Sequence, residues 1–240
     1  MGIGKAALAE FLGTFTLIFI GAGAGSLTAE QGGSLVSVAL AHGIALTVII
    51  YTWGKVSGAH VNPAVTLGVL VGGGISLPKA MTYWVVQLAG AAAAGFLLAY
   101  LLGPNPKSLG ETVGSLTATD TAKTIVLEGV LTFFLVSAVM SCGVAGKFGN
   151  LVGVGIGSVL AMDILFGGPL TGASMNPART FGPAVAMGHY SYMWMYFVGP
   201  GTGGLVAGAL YRALFRAANT ARTSDSAEVA APKRKMSKAA

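Results

Sequence analysis

Two copies of one tripeptide carry the clearest chemical signature in this sequence. Asn62-Pro63-Ala64 and Asn176-Pro177-Ala178 both follow a Ser/Thr-Gly-Ala stretch. Asparagine is a favoured helix N-cap and proline is favoured at the first helical position, so each tripeptide is predicted to begin a helix. The cap uses the amide oxygen, which is expected to leave the amide NH₂ as a free donor. Two such donors, brought together, would hold a water molecule by its oxygen.

Two glutamates are the next candidates, because each lies within a long apolar stretch. Glu10 and Glu128 occupy equivalent positions in two similar segments, Glu10–Phe15 and Glu128–Phe133. An acidic group inside a membrane is expensive unless it has partners. A proton relay is one interpretation. The interpretation we favour is structural: each carboxylate accepts N–H groups from the irregular segment that precedes a tripeptide.

The residues that a catalyst needs do not cluster. No serine, histidine and carboxylate share one short motif, so the sequence assigns no catalytic residue and does not predict an enzyme. It predicts no metal ligand and no cofactor. The single cysteine, Cys142, rules out an internal disulfide and is expected to be a small buried side chain in the fourth helix, away from any pore.

The elements that must position these residues are membrane helices. Of 240 residues, 54% are hydrophobic and 9% are charged, against about 25% charged in an ordinary soluble domain. Six apolar stretches are long enough to cross a bilayer: Ala7–Gly25, Leu35–Trp53, Ala80–Leu102, Thr124–Gly143, Leu151–Phe166 and Tyr192–Leu214. The predicted fold class is therefore an all-α membrane protein.

The chain also repeats itself. Ser57–Gly68 and Thr171–Gly182 align without a gap, so each half contains three crossings and one Asn-Pro-Ala segment. An odd number of crossings per half makes the two repeats inverted in the membrane. The short apolar runs Pro63–Val71 and Pro177–Met187 are then half-helices that meet N-terminus to N-terminus at mid-membrane. Their positive dipole ends would repel protons and cations.

The basic residues indicate orientation. The net charge is +6, but the distribution follows membrane topology and does not suggest a nucleic-acid partner. Two lysines, Lys107 and Lys123, fall on one side, and the rest of those near the crossings fall on the other: Lys5, Lys55, Lys79, Lys147, Arg212 and Arg216. We therefore expect a multi-pass protein of the cell membrane with both termini in the cytoplasm.

Arg179 breaks a local rule, because it places a positive charge in the first turn of the second half-helix. The matching residue of the first half is Val65. With both tripeptides and this arginine, the chain resembles the major intrinsic proteins, the aquaporin and glycerol-facilitator family, over about residues 5 to 215. The resemblance implies a right-handed bundle of six crossings plus two re-entrant half-helices, a pore in each subunit, and a homotetramer. Arg179 is similar to the selectivity-filter arginine of that family.

The same resemblance implies three further filter positions, His42, Ile164 and Ala173. A packed core histidine is the alternative for His42. The quartet departs from that of narrow water channels and from that of glycerol facilitators. It is similar to the filter of the plant tonoplast intrinsic proteins, some of which pass ammonia. Asp163 would either tune the filter or pair with a neighbouring loop.

These observations together predict a passive channel in the lipid bilayer for water, and for small neutral solutes such as ammonia, that excludes protons and ions. A glycerol or small-polyol facilitator of the same fold and a coupled transporter are the alternatives. The predicted channel domain is 1–216, with repeat halves at about 5–103 and 123–215. Residues 217–240 are predicted to be a disordered basic cytoplasmic tail.

Overall fold

The computed structural model describes residues 2–103, 106–146 and 149–216, and across these ranges the chain is helical, without a strand. The predicted tail at 217–240 and Lys147 lie outside the described residues. The described chain contains eight α-helices: α1 Ile3–Gln31, α2 Leu35–Ser57, α3 Pro63–Val71, α4 Leu77–Leu102, α5 Thr121–Ala138, α6 Val152–Thr171, α7 Pro177–Met187 and α8 Met195–Tyr211.

Five segments are long and apolar enough to cross a membrane: Ile3–Gln31, Leu35–Ser57, Leu77–Leu102, Thr121–Val144 and Gly149–Thr171. The sixth predicted crossing corresponds to α8, which has 17 residues and continues through a π-helical turn at Arg212–Arg216. About 17 residues is the lower end of what a crossing needs. Large apolar side chains such as Leu8, Val85 and Phe166 are exposed on the outside of the bundle, as expected for a surface in contact with lipid.

The two half-helices have the bounds that the sequence predicts. Pro63–Val71 contains 9 residues and Pro177–Met187 contains 11. Each begins at an asparagine N-cap with proline in its first turn, and each ends where a glycine, Gly72 or Gly188, follows. Both are too short to cross a bilayer of about 30 Å.

The helices pack as two related halves. In the first half α1 packs on α2 and α4, and in the second half α5 packs on α6 and α8. Helices α2 and α6 pack together and join the halves. Each half-helix packs against the last crossing of the opposite half, α3 on α8 and α7 on α4. This exchange brings both tripeptides to the centre of the bundle.

Glycines allow the half-helices to lie close to their partners. A Cβ at Gly208 of α8 would collide with the Gly68 carbonyl of α3, and a Cβ at Gly95 of α4 would collide with the Gly182 carbonyl of α7. The α2–α6 contact uses Gly157 in the same way. Small residues are the usual means of close helix packing in lipid.

The face of the bundle that carries the start of α1 is called the N-terminal face. The other is called the opposite face, and it carries the segments that join α1 to α2, α4 to α5 and α7 to α8.

Candidate functional site

The segments that lead into the half-helices have a strained backbone. Ala59 and Val61 in the first half, and Ala173 and Met175 in the second, have φ values of 49°, 43°, 44° and 52°. Left-handed backbone costs a residue with a side chain about 1–2 kcal/mol. In both repeats the two left-handed residues are two positions apart and occupy matching places. The surrounding structure must therefore hold this backbone conformation in place.

The two membrane glutamates hold these segments. Glu10 accepts the backbone N–H groups of His60 at 2.9 Å and Val61 at 2.7 Å. Gln87 of α4 donates to the same carboxylate at 2.8 Å. Because all four residues are buried, each of these donors would otherwise lack water as a partner.

Glu128 does the same in the second half. It accepts the backbone N–H groups of Ser174 at 3.0 Å and Met175 at 2.8 Å, and the hydroxyl of Thr171 at 2.7 Å. Its side chain is fully buried. The two glutamates thus make equivalent contacts with the two strained segments, and their oxygens are occupied by donors from those segments.

The two asparagines meet at the centre of the bundle. The side-chain oxygen of Asn62 accepts from the N–H groups of Ala64 and Val65. The corresponding oxygen of Asn176 accepts from the N–H groups of Ala178 and Arg179. These are the predicted caps of α3 and α7.

The prediction that both amide NH₂ groups remain free is wrong. Asn62 Nδ2 donates to the Met175 carbonyl at 2.8 Å, and Asn176 Nδ2 donates to the Val61 carbonyl at 3.0 Å. These bonds cross from one repeat to the other and couple the two strained segments. An amide NH₂ has two hydrogens, so one N–H of each asparagine is left for a permeating molecule.

A cavity of about 830 Å³ extends into the bundle from the N-terminal face. Lys55 and Gly146 lie at its open end, both asparagines line its middle, and His42 and Arg179 line it beyond them. Much of the remaining wall is apolar, for example Leu46, Val65, Val69, Leu135 and Leu160. Apolar side chains and the polar groups of Asn62, Asn176, His42 and Arg179 thus share the wall of this cavity.

Cys142 also lines this cavity, contrary to the prediction that it lies away from the pore. It is in the π-helical turn Val139–Val144 that continues α5, and it is 6% exposed. The wider turn of a π-helix changes the direction of the side chains that follow, which a count along an α-helix does not anticipate.

His42 and Arg179 form the polar contact at the inner end of the cavity. Arg179 Nε lies 3.4 Å from His42 Nε2. His42 Nδ1 lies 2.9 Å from the Val38 carbonyl, which can only accept, so the imidazole hydrogen is on Nδ1 and Nε2 is an acceptor. His42 is 3% exposed and is also among the residues that line the cavity.

Ile164 and Ala173 are buried, 3% and 2% exposed, but neither is among the residues that line the cavity. A Cβ at Gly167, one turn beyond Ile164 in α6, would lie 3.2 Å from the Ala173 Cβ. The two residues therefore lie near each other, behind the residues that line the cavity. The structure brings His42 and Arg179 together directly and places Ile164 and Ala173 beside the second half-helix segment.

Two residues that contact Arg179 and His42 have no motif in the sequence. The Gly110 carbonyl, in the segment between α4 and α5, accepts a hydrogen bond from Arg179 Nη1. Gly21 of α1 packs against the His42 ring so closely that a Cβ there would collide with it. The only signal in the sequence is a glycine at each position, in a chain with 37 glycines, which is too weak to find them.

Three other polar residues, His60, His189 and Asp163, lie near the site or in the loops. His60 Nδ1 is 3.1 Å from the Thr66 hydroxyl, and His189 Nδ1 is 2.8 Å from Glu111 Oε1. Asp163 is 1% exposed, and one of its oxygens has no hydrogen-bond partner among the described residues; no described loop pairs with it. Within the described ranges, no three His, Cys, Asp or Glu side chains are grouped to hold a metal ion.

Comparison with known proteins decides the family. The sequence profile described as "Major intrinsic protein" matches residues 1–211. The chain belongs to this family. It is 41% identical to Aquaporin TIP1-1 of Zea mays over 223 residues, which is 88% of this chain and 87% of the relative. It is 40% identical to Aquaporin TIP2-1 of Arabidopsis thaliana, with the same coverage of both.

A solved structure supports the same fold. The X-ray structure of the aquaglyceroporin from Plasmodium falciparum matches this channel with a TM-score of 0.75 and 25% identity, covering 92% of this chain and all of that one. The predicted all-α membrane fold is thereby confirmed. The aquaporin relatives are 41% and 40% identical to this chain over most of their length. The chain is therefore a multi-pass membrane channel for water and is not an enzyme.

Proposed function

We propose that water crosses this channel past Asn62 and Asn176 and is selected at Arg179 and His42. The observation that carries the proposal is the meeting of two half-helix N-termini, each capped by an asparagine that lines the cavity. One N–H of each amide is available to a water oxygen, which would turn the hydrogens of that water outward along the passage. The hydrogen-bonded chain of water then changes direction and relays no proton.

Cation exclusion has two sources in this proposal. Each half-helix presents the equivalent of about half a positive charge at its N-terminus. Arg179 adds a full charge beside the cavity, 5% exposed and without a carboxylate among its hydrogen-bond partners. A cation would have to lose its water shell in an apolar passage while facing these positive groups.

The proposal predicts fast water flow without proton flow. Proteoliposomes that contain the channel should shrink in a hyperosmotic step much faster than bare lipid vesicles, measured by stopped-flow light scattering. Under an imposed pH gradient, an internal pH dye should change no faster than in bare vesicles. Water flow that needs a proton or sodium gradient would instead indicate a coupled transporter.

Ammonia is the second solute in the proposal, and glycerol is expected to pass poorly. An ammonia N–H can replace the long 3.4 Å contact that Arg179 Nε makes with His42 Nε2, and the guanidinium N–H groups of Arg179 can donate to the ammonia nitrogen. After an ammonium pulse, vesicles with the channel should become alkaline inside faster than bare vesicles. The Ile164→His variant should lose ammonia flux more than water flux. Equal alkalinisation in both kinds of vesicle would contradict ammonia transport.

A glycerol facilitator is the other candidate, and the fold match to an aquaglyceroporin favours it. The identity to the two plant aquaporins is higher, 41% and 40% against 25%. Glycerol permeability measured on the same vesicles distinguishes the two.

We also propose a homotetramer of the cell membrane with residues 1–216 as one channel domain. Exposed apolar side chains on several crossings supply surface for lipid and for other subunits. The N-terminal face carries Lys5, Lys55, Lys79 and Arg212, which supports a cytoplasmic location of both termini. Crosslinking in membranes tests the tetramer, and fractionation tests cell membrane against internal membrane.

A further inference from the structure

The segment between α4 and α5 delivers the carbonyl that contacts the filter arginine. Gly110 has a φ of 73°, and a Cβ at this position would collide with the carbonyl of Ala22 in α1. Ser108 accepts from the backbone N–H of Gly110 at 3.0 Å, and Ser26 of α1 donates to the Ser108 carbonyl at 2.5 Å. These contacts fix the turn relative to α1. They do not fix it relative to α7, which carries Arg179.

Besides the Arg179–Gly110 bond itself, two side-chain contacts join residues 111–112 to α7 and to the loop that follows it. The first is Glu111 with His189, 2.8 Å apart, in which the histidine side chain is 62% exposed. The second is Thr112 with Thr180, whose hydroxyl oxygens are 2.7 Å apart and whose side chains are 3% and 4% exposed. A contact with a side chain as exposed as His189 contributes little, because water competes for the imidazole. The buried hydroxyl pair is therefore the effective connection.

The direction of the hydroxyl hydrogens follows from counting donors. Ser174 Oγ donates to the Asn176 carbonyl at 2.8 Å, which uses its only hydrogen. Ser174 must then accept from Thr180, 2.7 Å away, and Thr180 must accept from Thr112. A chain of donated hydroxyls thus runs from Thr112 through Thr180, the neighbour of Arg179, to the cap of α7.

We propose that Thr112 is a positioning residue for Arg179: its hydroxyl, donated to Thr180, holds the Gly110 carbonyl against the guanidinium group and so sets the width of the constriction. This rests on the proposed filter role of Arg179. Without the hydroxyl, the segment keeps its contacts with α1 and the backbone hydrogen bonds of Ser115 and Leu116 to the end of α6, but it loses the buried hydroxyl contact with α7. The guanidinium then loses a fixed acceptor and can move aside, so larger neutral solutes pass the constriction.

The test removes the hydroxyl and keeps the shape, with Thr112→Val. The ratio of glycerol to water permeability in proteoliposomes should rise about threefold or more, the size expected of a coupling between contacting residues. Proton permeability should stay at the level of bare lipid, because both half-helix N-termini are unchanged. Thr112→Ser, which restores the hydroxyl, should return the ratio to the wild-type value.

Two controls separate positioning from general loosening. His189→Gln weakens the exposed contact and should leave the ratio unchanged. Thr119→Val removes a hydroxyl in the same segment that bonds only to the Ser115 carbonyl, and it should also leave the ratio unchanged. If Thr112→Val does not insert, Thr112→Ala is measured in its place.

The outcomes distinguish this proposal from the proposed filter. An unchanged ratio in Thr112→Val, or a lower unfolding temperature with an unchanged ratio, overturns the positioning role. If Arg179→Val still raises the ratio in that case, the filter stands without the positioning residue. If Arg179→Val also leaves the ratio unchanged, the filter assignment fails, and the positioning role with it.

Discussion

Proteoliposomes made with the Glu128→Ala variant should pass water at close to the rate of bare lipid. Alanine leaves the backbone N–H groups of Ser174 and Met175 and the hydroxyl of Thr171 without their acceptor. A buried donor without a partner costs about 1–3 kcal/mol, so the loss is on the order of 5 kcal/mol. That is comparable with the whole stability of many folded domains, about 5–15 kcal/mol.

The strained segment makes the effect larger. Ala173 and Met175 have left-handed backbone, and Glu128 is the group that holds the N–H of Met175. Once released, the segment would relax and the second half-helix would lose its place at the centre of the bundle. The measurement combines stopped-flow shrinkage with the unfolding temperature of the protein in detergent.

A graded series gives the control for this prediction. Glu128→Gln keeps one acceptor oxygen and should lie between alanine and wild type. Asp120 caps the same helix at its exposed end, where it accepts from the Lys123 N–H at 3.0 Å. Asn is an equally good cap, so Asp120→Asn should behave like wild type. A Glu128→Ala protein with wild-type water flow and unfolding temperature would contradict the structural role.

Arg179→Val should widen and neutralise the constriction without unfolding the half-helix. Val65 occupies the matching position of the first half, so this type of half-helix accepts valine there. The cap is retained because it uses the backbone N–H of residue 179, and a positive side chain at a helix N-terminus is unfavourable in any case. What is lost is the guanidinium between Gly110 and His42.

We expect the ratio of glycerol to water permeability to rise about tenfold, which corresponds to about 1.4 kcal/mol. The barrier to ammonium should also fall, although the half-helix dipoles remain. The rate at which vesicles shrink and reswell in glycerol measures the first effect. Internal acidification after addition of ammonium measures the second, on the same preparation. Arg212→Val, which removes an exposed charge beyond the end of α8, is the matched control. If Arg179→Val keeps the wild-type ratio of glycerol to water permeability and the wild-type exclusion of ammonium, this arginine is not part of the filter.

The sequence alone was sufficient to predict the bounds of the half-helices. Pro63–Val71 and Pro177–Met187 were predictable to the residue because helix starts and stops depend on neighbouring residues: an asparagine cap, a proline in the first turn, and glycine after the end. The crossings were predictable for a related reason. A bilayer requires a minimum apolar length, and that length is visible in the sequence.

Contacts between distant segments were decided only by the tertiary structure. Nothing near Asn62 or Asn176 indicates that each amide donates to a carbonyl of the other repeat, at Met175 and Val61. The Gly110 carbonyl on Arg179 is equally invisible, because every residue has a carbonyl and only the folded chain selects one. Cys142 reached the cavity wall through a π-helical turn. Local rules act between neighbours in the chain, whereas these contacts depend on how the two inverted halves pack together.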